Sequence, residues 1–309
     1  MDVLFYAEDP QPDPWAAALE AALPEGRVHR WSEGAVFPAC DYAVCWKPPA
    51  GFFAGQGGLK AIMNIGAGAD AIVGNPHLPS GVPVIRLDDA GMAAQMQEYV
   101  AACALGYLCR FDAYRAQQAR RHWQRMSPRG REHFPVGVMG LGVLGESVAL
   151  YLRGLGFPVR GWSRGPKRVD GIACFAGDAQ LDDFLSGAML LVCLLPLTAQ
   201  TRGILNRANL AKLPRGACLV NIARGGHLVE DDLLDLLDEG HLTGATLDVF
   251  PHEPLAPESR LWTHDKVAIT PHASAQTVVD VAMVQIAGKI RALERGETVA
   301  GLIDPARGY

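Results

Sequence analysis

Short apolar runs rich in β-branched and aromatic residues alternate with helical patterns along most of the chain. In the first part DVLFYAE, RVHRWS, DYAVCWK, LKAIMNI and VPVIRL are bounded by Gly or Pro and predict strands. DPWAAALEAAL, between the first two, predicts a helix. From Gly91 to His122 there is no Pro and only one internal Gly, Gly106. That stretch predicts a single long helix crossing into a second domain, with SPRGREHFP (127–135) as the loop after it. The alternation then restarts. VGVMG, PVRGWS, MLLVCLLP, ACLVNIA, GATLDVF and VAIT predict strands, with helices such as VEDDLLDLLDEG (229–240) between them. After Ala273 a last amphipathic pattern runs to about Arg295, and no strand follows it. This helix is expected to pack back on the first domain.

Strand–helix alternation of this kind implies parallel sheets with helices on both faces. The predicted fold is therefore α/β, with two doubly wound parallel-sheet domains. Residues 99–273 are read as a dinucleotide-binding Rossmann domain. Residues 1–98 and 274–309 are read as a flavodoxin-like substrate domain built from both chain ends.

Composition narrows the functional classes. The 309 residues suffice for two domains, and 49% hydrophobic content suffices for real cores. A net charge of −5 and a pI near 6.0 lack the basic excess that a nucleic-acid or anionic-membrane partner would favour, so neither is expected. The longest strongly apolar run, AMLLVCLLPL (188–197), is shorter than the roughly 20 residues of a membrane-spanning helix. It suits a buried parallel strand. The N-terminus has no basic region ahead of its short apolar run, so no signal peptide is expected. Seven scattered cysteines without a C-x-x-C pair are expected to be reduced thiols of a cytoplasmic protein, with no metal site.

The second domain opens on Gly140, Gly142 and Gly145 in G-x-G-x-x-G spacing, preceded by an apolar run and followed by a helical pattern. In that context Gly140 permits the tight turn and Gly142 lets backbone approach a pyrophosphate at the helix N-terminus. Gly145 allows close helix–strand packing. A glycine turn without a ligand is the bland alternative. About 20 residues on, an NAD-binding unit carries Asp or Glu for the ribose hydroxyls. Here VRGWSRGPK supplies Ser163, Arg164 and Lys167. Two cations suit a 2′-phosphate, and Arg can bind it bidentately, so NADP(H) is expected to be preferred over NAD(H). The alternative is a solvated basic loop.

Three later segments place chemistry at the carboxyl ends of predicted strands, where open α/β sheets gather their ligands. They are NIARGG with Arg224, LDVFPHEPL with Asp248 and Glu253, and ITPHAS with His272. An arginine, a carboxylate and a histidine delivered to one edge can polarise a carbonyl, tune a base and move a proton. Singly, each has a bland reading as a surface or turn residue. In the first domain Trp46 and Lys47, in VCWKPPAGFF, end a predicted strand. They would suit a small anion, or serve as core and surface charge.

In these segments, and in NIGAGAD and LLPLTAQTRGIL, the sequence resembles the D-isomer-specific 2-hydroxyacid dehydrogenases over almost its whole length. WKPP, FAGDAQLDDFL, VEDDLLDLLD and the closing DPARGY bring it nearest the bacterial glyoxylate/hydroxypyruvate reductase A group. The resemblance implies NADPH-dependent reduction of small 2-oxo acids, glyoxylate and hydroxypyruvate first, by a homodimer. Other members, of D-lactate or phosphoglycerate type, and the related non-catalytic nucleotide-sensing corepressors are the alternatives.

The resemblance also implies roles. Arg224 would hold the substrate's carboxylate and carbonyl, Glu253 would pair with His272, and His272 would donate the proton. Asp248 would hold the nicotinamide side. Val143, Leu144, Leu195, Pro196, Thr201, Ile222, Ala223, Ala273 and Ser274 would complete the cofactor site beside the glycines. The Ile65–Asp70 turn, with Gly66, Ala67 and Gly68, would form a backbone nest for the substrate's carboxylate. Trp123 would reach the partner subunit. Two features depart from the family: Arg164 stands where many members are acidic, and His252 adjoins Glu253 where other residues are usual, read as a solvated loop residue with a second imidazole near the site as the alternative.

Overall fold

A computed structural model describes residues 1–9, 11–66, 68 and 70–304. Ala67, assigned to the carboxylate nest, and the closing residues after Asp304 lie outside the described residues. In chain order the elements are β1 (Asp2–Ala7), α1 (Asp13–Ala22), β2 (Arg27–Arg30), β3 (Tyr42–Trp46), β4 (Ala61–Asn64), α2 (Asp70–Val73) and β5 (Val84–Arg86). Next come α3 (Met92–Leu108), α4 (Phe111–Ala119), β6 (Val136–Met139), α5 (Val143–Gly154), β7 (Val159–Ser163), β8 (Ala173–Ala176), α6 (Leu181–Ser186) and β9 (Leu190–Cys193). The chain closes with α7 (Arg207–Leu210), β10 (Ala217–Asn221), α8 (Glu230–Asp238), β11 (Leu242–Leu247), β12 (Val267–Ile269) and α9 (Val279–Glu294).

The chain divides into two compact units, Met1–Met92 with Thr277–Tyr309, and Ala93–Gln276. The first holds a parallel sheet in the order β2-β1-β3-β4-β5. Leu4, Ala43, Cys45, Ile62 and Val84 pack with Phe52, Phe53 and Ile303, while their strand neighbours Val3, Val44 and Met63 are buried as well. Strands buried on successive residues read as continuous apolar runs because both faces are covered. Helix α9 lies against α1 and buries Ala282, Met283, Ile286, Ala287 and Ile290. Its end is tied down by Glu294, which accepts from Tyr42 Oη at 2.7 Å and Lys60 Nζ at 2.8 Å.

The second unit holds a parallel sheet in the order β12-β11-β10-β9-β6-β7-β8. Its strand residues alternate between two buried clusters. Leu191, Cys193 and Leu219 join the side chains of α6 and α8, whereas Leu190, Val192, Cys218 and Val220 join those of α3 and α5. This alternation is the two-faced burial that a doubly wound sheet requires.

Two sequence expectations need correction. The long helix expected from Gly91 to His122 is broken into α3 and α4 at Cys109–Arg110. Arg110 adopts φ 59°, a left-handed conformation that terminates a helix. Strand β8 was not anticipated. It is a half-exposed edge strand paired, among the described residues, with β7 alone, so it lacks the apolar run that marks the inner strands. Among the described residues no helix is long and apolar enough to cross a membrane.

Candidate active site

The glycine turn follows β6, and its three glycines face different demands. Gly140 has φ 108°, and a Cβ there would lie 2.7 Å from the Leu194 carbonyl oxygen. A Cβ on Gly145 would lie 1.8 Å from the Gly140 carbonyl oxygen, so the protein's own packing requires these two glycines. A Cβ on Gly142 would meet nothing within 4 Å, and its φ of −72° suits any residue. Gly142 is also the N-cap of α5 and offers no side-chain cap. The open space and uncapped N–H groups fit a pyrophosphate at this helix N-terminus. Val143 is half-exposed beside it and Leu144 partly buried.

Ser163 ends β7, and Arg164 and Lys167 follow on the exposed loop. The Ser163 hydroxyl donates to the Gly165 carbonyl at 2.8 Å. Lys167 turns back over the glycine turn, where its ammonium donates to the Leu141 carbonyl and lies 3.6 Å from Glu146 Oε2. After β9, Leu195 is buried and Pro196 accepts a hydrogen bond from Thr201 Oγ1 at 2.7 Å.

Arg224 lies just past β10, beyond the buried Ile222 and Ala223. Its Nη1 donates to the Ala223 carbonyl at 2.7 Å. Its own carbonyl accepts from Asn221 Nδ2 at 3.1 Å, and His227 Nδ1 lies 2.9 Å from it. Gly225 follows because a Cβ there would lie 1.9 Å from the Phe250 carbonyl carbon. Asn221 and His227, both fully buried, were not anticipated as site residues. Their signal in the sequence was a polar side chain inside an otherwise apolar strand end and turn.

His272 and Glu253 meet directly. Nδ1 of His272 lies 2.8 Å from Oε2 of Glu253, with side chains 37% and 30% exposed. Oε1 of Glu253 accepts from the Phe250 N–H at 3.0 Å, which fixes the carboxylate. With Nδ1–H given to Glu253, Nε2 is the ring nitrogen left to exchange a proton with a ligand. His272 has φ 53°, an uncommon conformation for a non-glycine residue. Its main chain is held there by the N–H bond to the Asp248 carbonyl at 2.8 Å. His252, beside Glu253, is exposed.

Asp248 is fully buried at the end of β11. Its carboxylate accepts from Thr270 Oγ1 at 2.5 Å, Ala273 N–H at 2.8 Å and Ser274 N–H at 3.0 Å. Thr270 Oγ1 lies 2.6 Å from Tyr99 Oη on α3. Burial pushes the Tyr99 phenol up to about 12, so it remains a donor and the relay runs Tyr99 to Thr270 to Asp248. The observed partners of Asp248 thus brace the segment that carries His272.

These groups share one edge of the second unit's sheet. β12, β11, β10 and β9 are successive neighbours, and β6 and β7 continue the order. His272, Asp248, Arg224, Pro196, Gly142 and Ser163 each lie at or just beyond a carboxyl end in that order. The edge therefore offers a cation, a carboxylate-backed imidazole and an open dinucleotide turn. In the first unit Trp46 ends β3 and Lys47 follows it. A Cβ on Gly66 would lie 2.0 Å from Trp46 Cζ3, so the indole packs on the turn after β4. Lys47 Nζ is 3.6 Å from Glu8 Oε2 and 5.9 Å from the Trp46 ring. Asn64 holds the same turn, donating to the Gly66 and Gly68 carbonyls at 2.7 and 2.9 Å.

Residues 101–274 match the family model "D-isomer specific 2-hydroxyacid dehydrogenase, NAD binding domain". The chain is 47% identical over 314 residues to glyoxylate/hydroxypyruvate reductase A of Serratia proteamaculans, with both chains covered in full. A D-isomer specific 2-hydroxyacid dehydrogenase from Xanthobacter autotrophicus Py2, solved with NADPH and MES, superposes with a TM-score of 0.94. The two are 42% identical over 100% of this chain and 99% of that one. An NADPH-dependent glyoxylate/hydroxypyruvate reductase from Sinorhizobium meliloti, solved with NADP and sulfate, gives 0.93 at 37% identity, over 100% and 99% of the two chains. The chain belongs to the D-isomer specific 2-hydroxyacid dehydrogenase family.

Proposed function

We propose that the protein reduces glyoxylate to glycolate and hydroxypyruvate to D-glycerate, with NADPH as the preferred reductant. The observation that carries the reading is the His272–Glu253 pair, hydrogen-bonded at 2.8 Å on the sheet edge that also bears Arg224. A protein that only sensed a nucleotide would need the glycine turn but not this pair. The activity for which the full-length relatives are named, and the NADPH and NADP in two similar structures, support the same substrate and cofactor.

When bound, NADPH supplies the hydride that C2 of the 2-oxo acid accepts. The residues of the chain do the rest. Gly142 and the N-terminus of α5 would hold the pyrophosphate, and Arg164 and Lys167 the 2′-phosphate. The Arg224 guanidinium holds the substrate's carboxylate and draws electron density toward its carbonyl oxygen. His272 Nε2–H gives its proton to that oxygen as charge develops, and Glu253 stabilises the imidazolium before transfer. The reading also assigns Trp46, Lys47 and the turn at Gly66 and Gly68 to the substrate, Asp248 to the bracing of the His272 segment, and a homodimer in the cytoplasm to the working protein.

The test is kcat/KM with NADPH and NADH across glyoxylate, hydroxypyruvate, pyruvate, a phenyl-substituted 2-oxo acid and glycolaldehyde. The two small hydroxylated or unsubstituted 2-oxo acids should lead, with NADPH ahead of NADH. A lead for the bulky acid or the uncharged aldehyde would overturn the assignment. Sedimentation velocity tests the dimer, which a monomer at micromolar concentration would contradict.

A further inference from the structure

We propose that His227 is a positioning residue for the proposed reductase site, holding the main chain of Arg224 through its carbonyl oxygen. The inference rests on the functional reading above. His227 closes the short turn Gly225–His227 and is 0% exposed. Its Nδ1 lies 2.9 Å from the Arg224 carbonyl oxygen, and its Nε2 lies 3.3 Å from the Pro196 carbonyl oxygen. Both neighbours are acceptors only, so the ring can bond to either only through an N–H. A neutral ring carries one such proton, and we place it on Nδ1, at the shorter of the two contacts. Arg224 is therefore the partner that His227 holds first. The Pro196 carbonyl lies 3.3 Å from Nε2, which carries no proton in this tautomer, and it is served instead by the Thr201 hydroxyl at 2.7 Å.

The surrounding backbone shows what this ring joins. Gly203 N–H donates to the Gly226 carbonyl, and Leu205 N–H to the His227 carbonyl, each at 2.9 Å. Val229 N–H returns to the Leu205 carbonyl at 3.1 Å. The segment after β9 and the turn after β10 are thus stitched from Gly203 onward. The His227 ring extends this stitching to the Arg224 carbonyl, at the end nearest the chemistry. An apolar side chain of similar size would fill the space and leave the Arg224 carbonyl to Asn221 and the His227 amide. A buried polar ring in that place is explained by the orientation it imposes on the arginine.

The two ring nitrogens can be tested separately. Asn at this position places an amide N–H near the site of Nδ1, and Gln places one near Nε2. For the wild type and His227→Leu, His227→Asn and His227→Gln, we would measure kcat, KM for glyoxylate, the dissociation constant of NADPH by its fluorescence, and Tm. His227→Leu and His227→Gln should raise KM for glyoxylate about 3–10-fold, the effect of one lost buried hydrogen bond. NADPH affinity should change less. His227→Asn should restore KM to within about twofold of the wild type, the scatter of a well-mimicked bond. KM values that follow Tm without regard to which amide is present would show a purely structural histidine and overturn the proposal. Rescue by Gln rather than Asn would also overturn it.

Should His227→Leu fail to fold, the Asn–Gln comparison still decides. In the wild type, ¹⁵N-histidine NMR should show a protonated Nδ1 on the buried ring, and a ring protonated on Nε2 alone would refute the assignment. Absence of wild-type turnover would count against the reductase reading instead. In that case the dissociation constant of oxamate, read through bound NADPH, replaces KM in the same comparison.

Discussion

Asp248→Asn isolates the network that braces the His272 segment. The carboxylate is fully buried and accepts three hydrogen bonds, from Thr270 Oγ1, Ala273 N–H and Ser274 N–H. Asparagine keeps the shape but turns one acceptor oxygen into a donor. With the amide oxygen toward Thr270 and Ala273, its NH₂ confronts the N–H of Ser274, a residue only 4% exposed. The flipped amide confronts two donors instead of one. The better orientation leaves one buried backbone donor unsatisfied, which costs about 1–3 kcal/mol, and removes the charge assistance from two further bonds. The expected destabilisation is about 3 kcal/mol. For a unit of this size that lowers Tm by about 6–12 °C. His272, held at φ 53° by the same segment, should lose its alignment, and kcat should fall at least about tenfold. The assay is thermal unfolding of cofactor-free protein by circular dichroism, with kcat at saturating glyoxylate and NADPH. A Tm within about 1 °C of the wild type would refute the bracing role. A lowered Tm with unchanged kcat would show that the network stabilises the fold without aligning His272.

Other consequences follow from single contacts. Arg164→Asp should raise KM for NADPH far more than KM for NADH, and equal effects on both in steady-state kinetics would contradict the 2′-phosphate assignment. Gly142→Ala meets open space, so Tm should hold while NADPH binding weakens. Gly145→Ala drives a Cβ to 1.8 Å from the Gly140 oxygen and should lower Tm sharply, so similar melting of the two would undo the distinction. The Lys60 and Tyr42 hydrogen bonds hold the Glu294 carboxyl below its ordinary 4.5. A depressed carboxylate contributes stability that is complete above 4.5 and lost as pH falls through the folded value. The Tm difference between the wild type and Glu294→Gln should therefore shrink below pH 4.5, and a pH-independent difference would contradict it.

The parts legible in the sequence were those with a local signature. Inner strands such as LLVC announce themselves because both faces are covered, and the glycine spacing carried its own steric reasons, now visible at Gly140 and Gly145. Arg224, Glu253 and His272 were legible as a set by their placement after strands. What escaped depended on distant packing. The break at Arg110 interrupts a pattern with no proline to mark it. Strand β8 is half-exposed and short. The partners of Asp248 include Thr270, which in turn meets Tyr99 on α3, far away in the chain. His227 reads as an ordinary turn histidine until its two carbonyl neighbours are placed around it.

The most direct test of the central claim follows the hydride itself. The protein is incubated with NADPH carrying deuterium at both C4 positions and with hydroxypyruvate, and the product is examined by NMR. Glycerate with one deuterium, bonded to C2, is the predicted result, and its formation should slow about 10²–10⁴-fold in His272→Ala. No labelled glycerate from the wild type, or deuterium at any other carbon, would contradict the account.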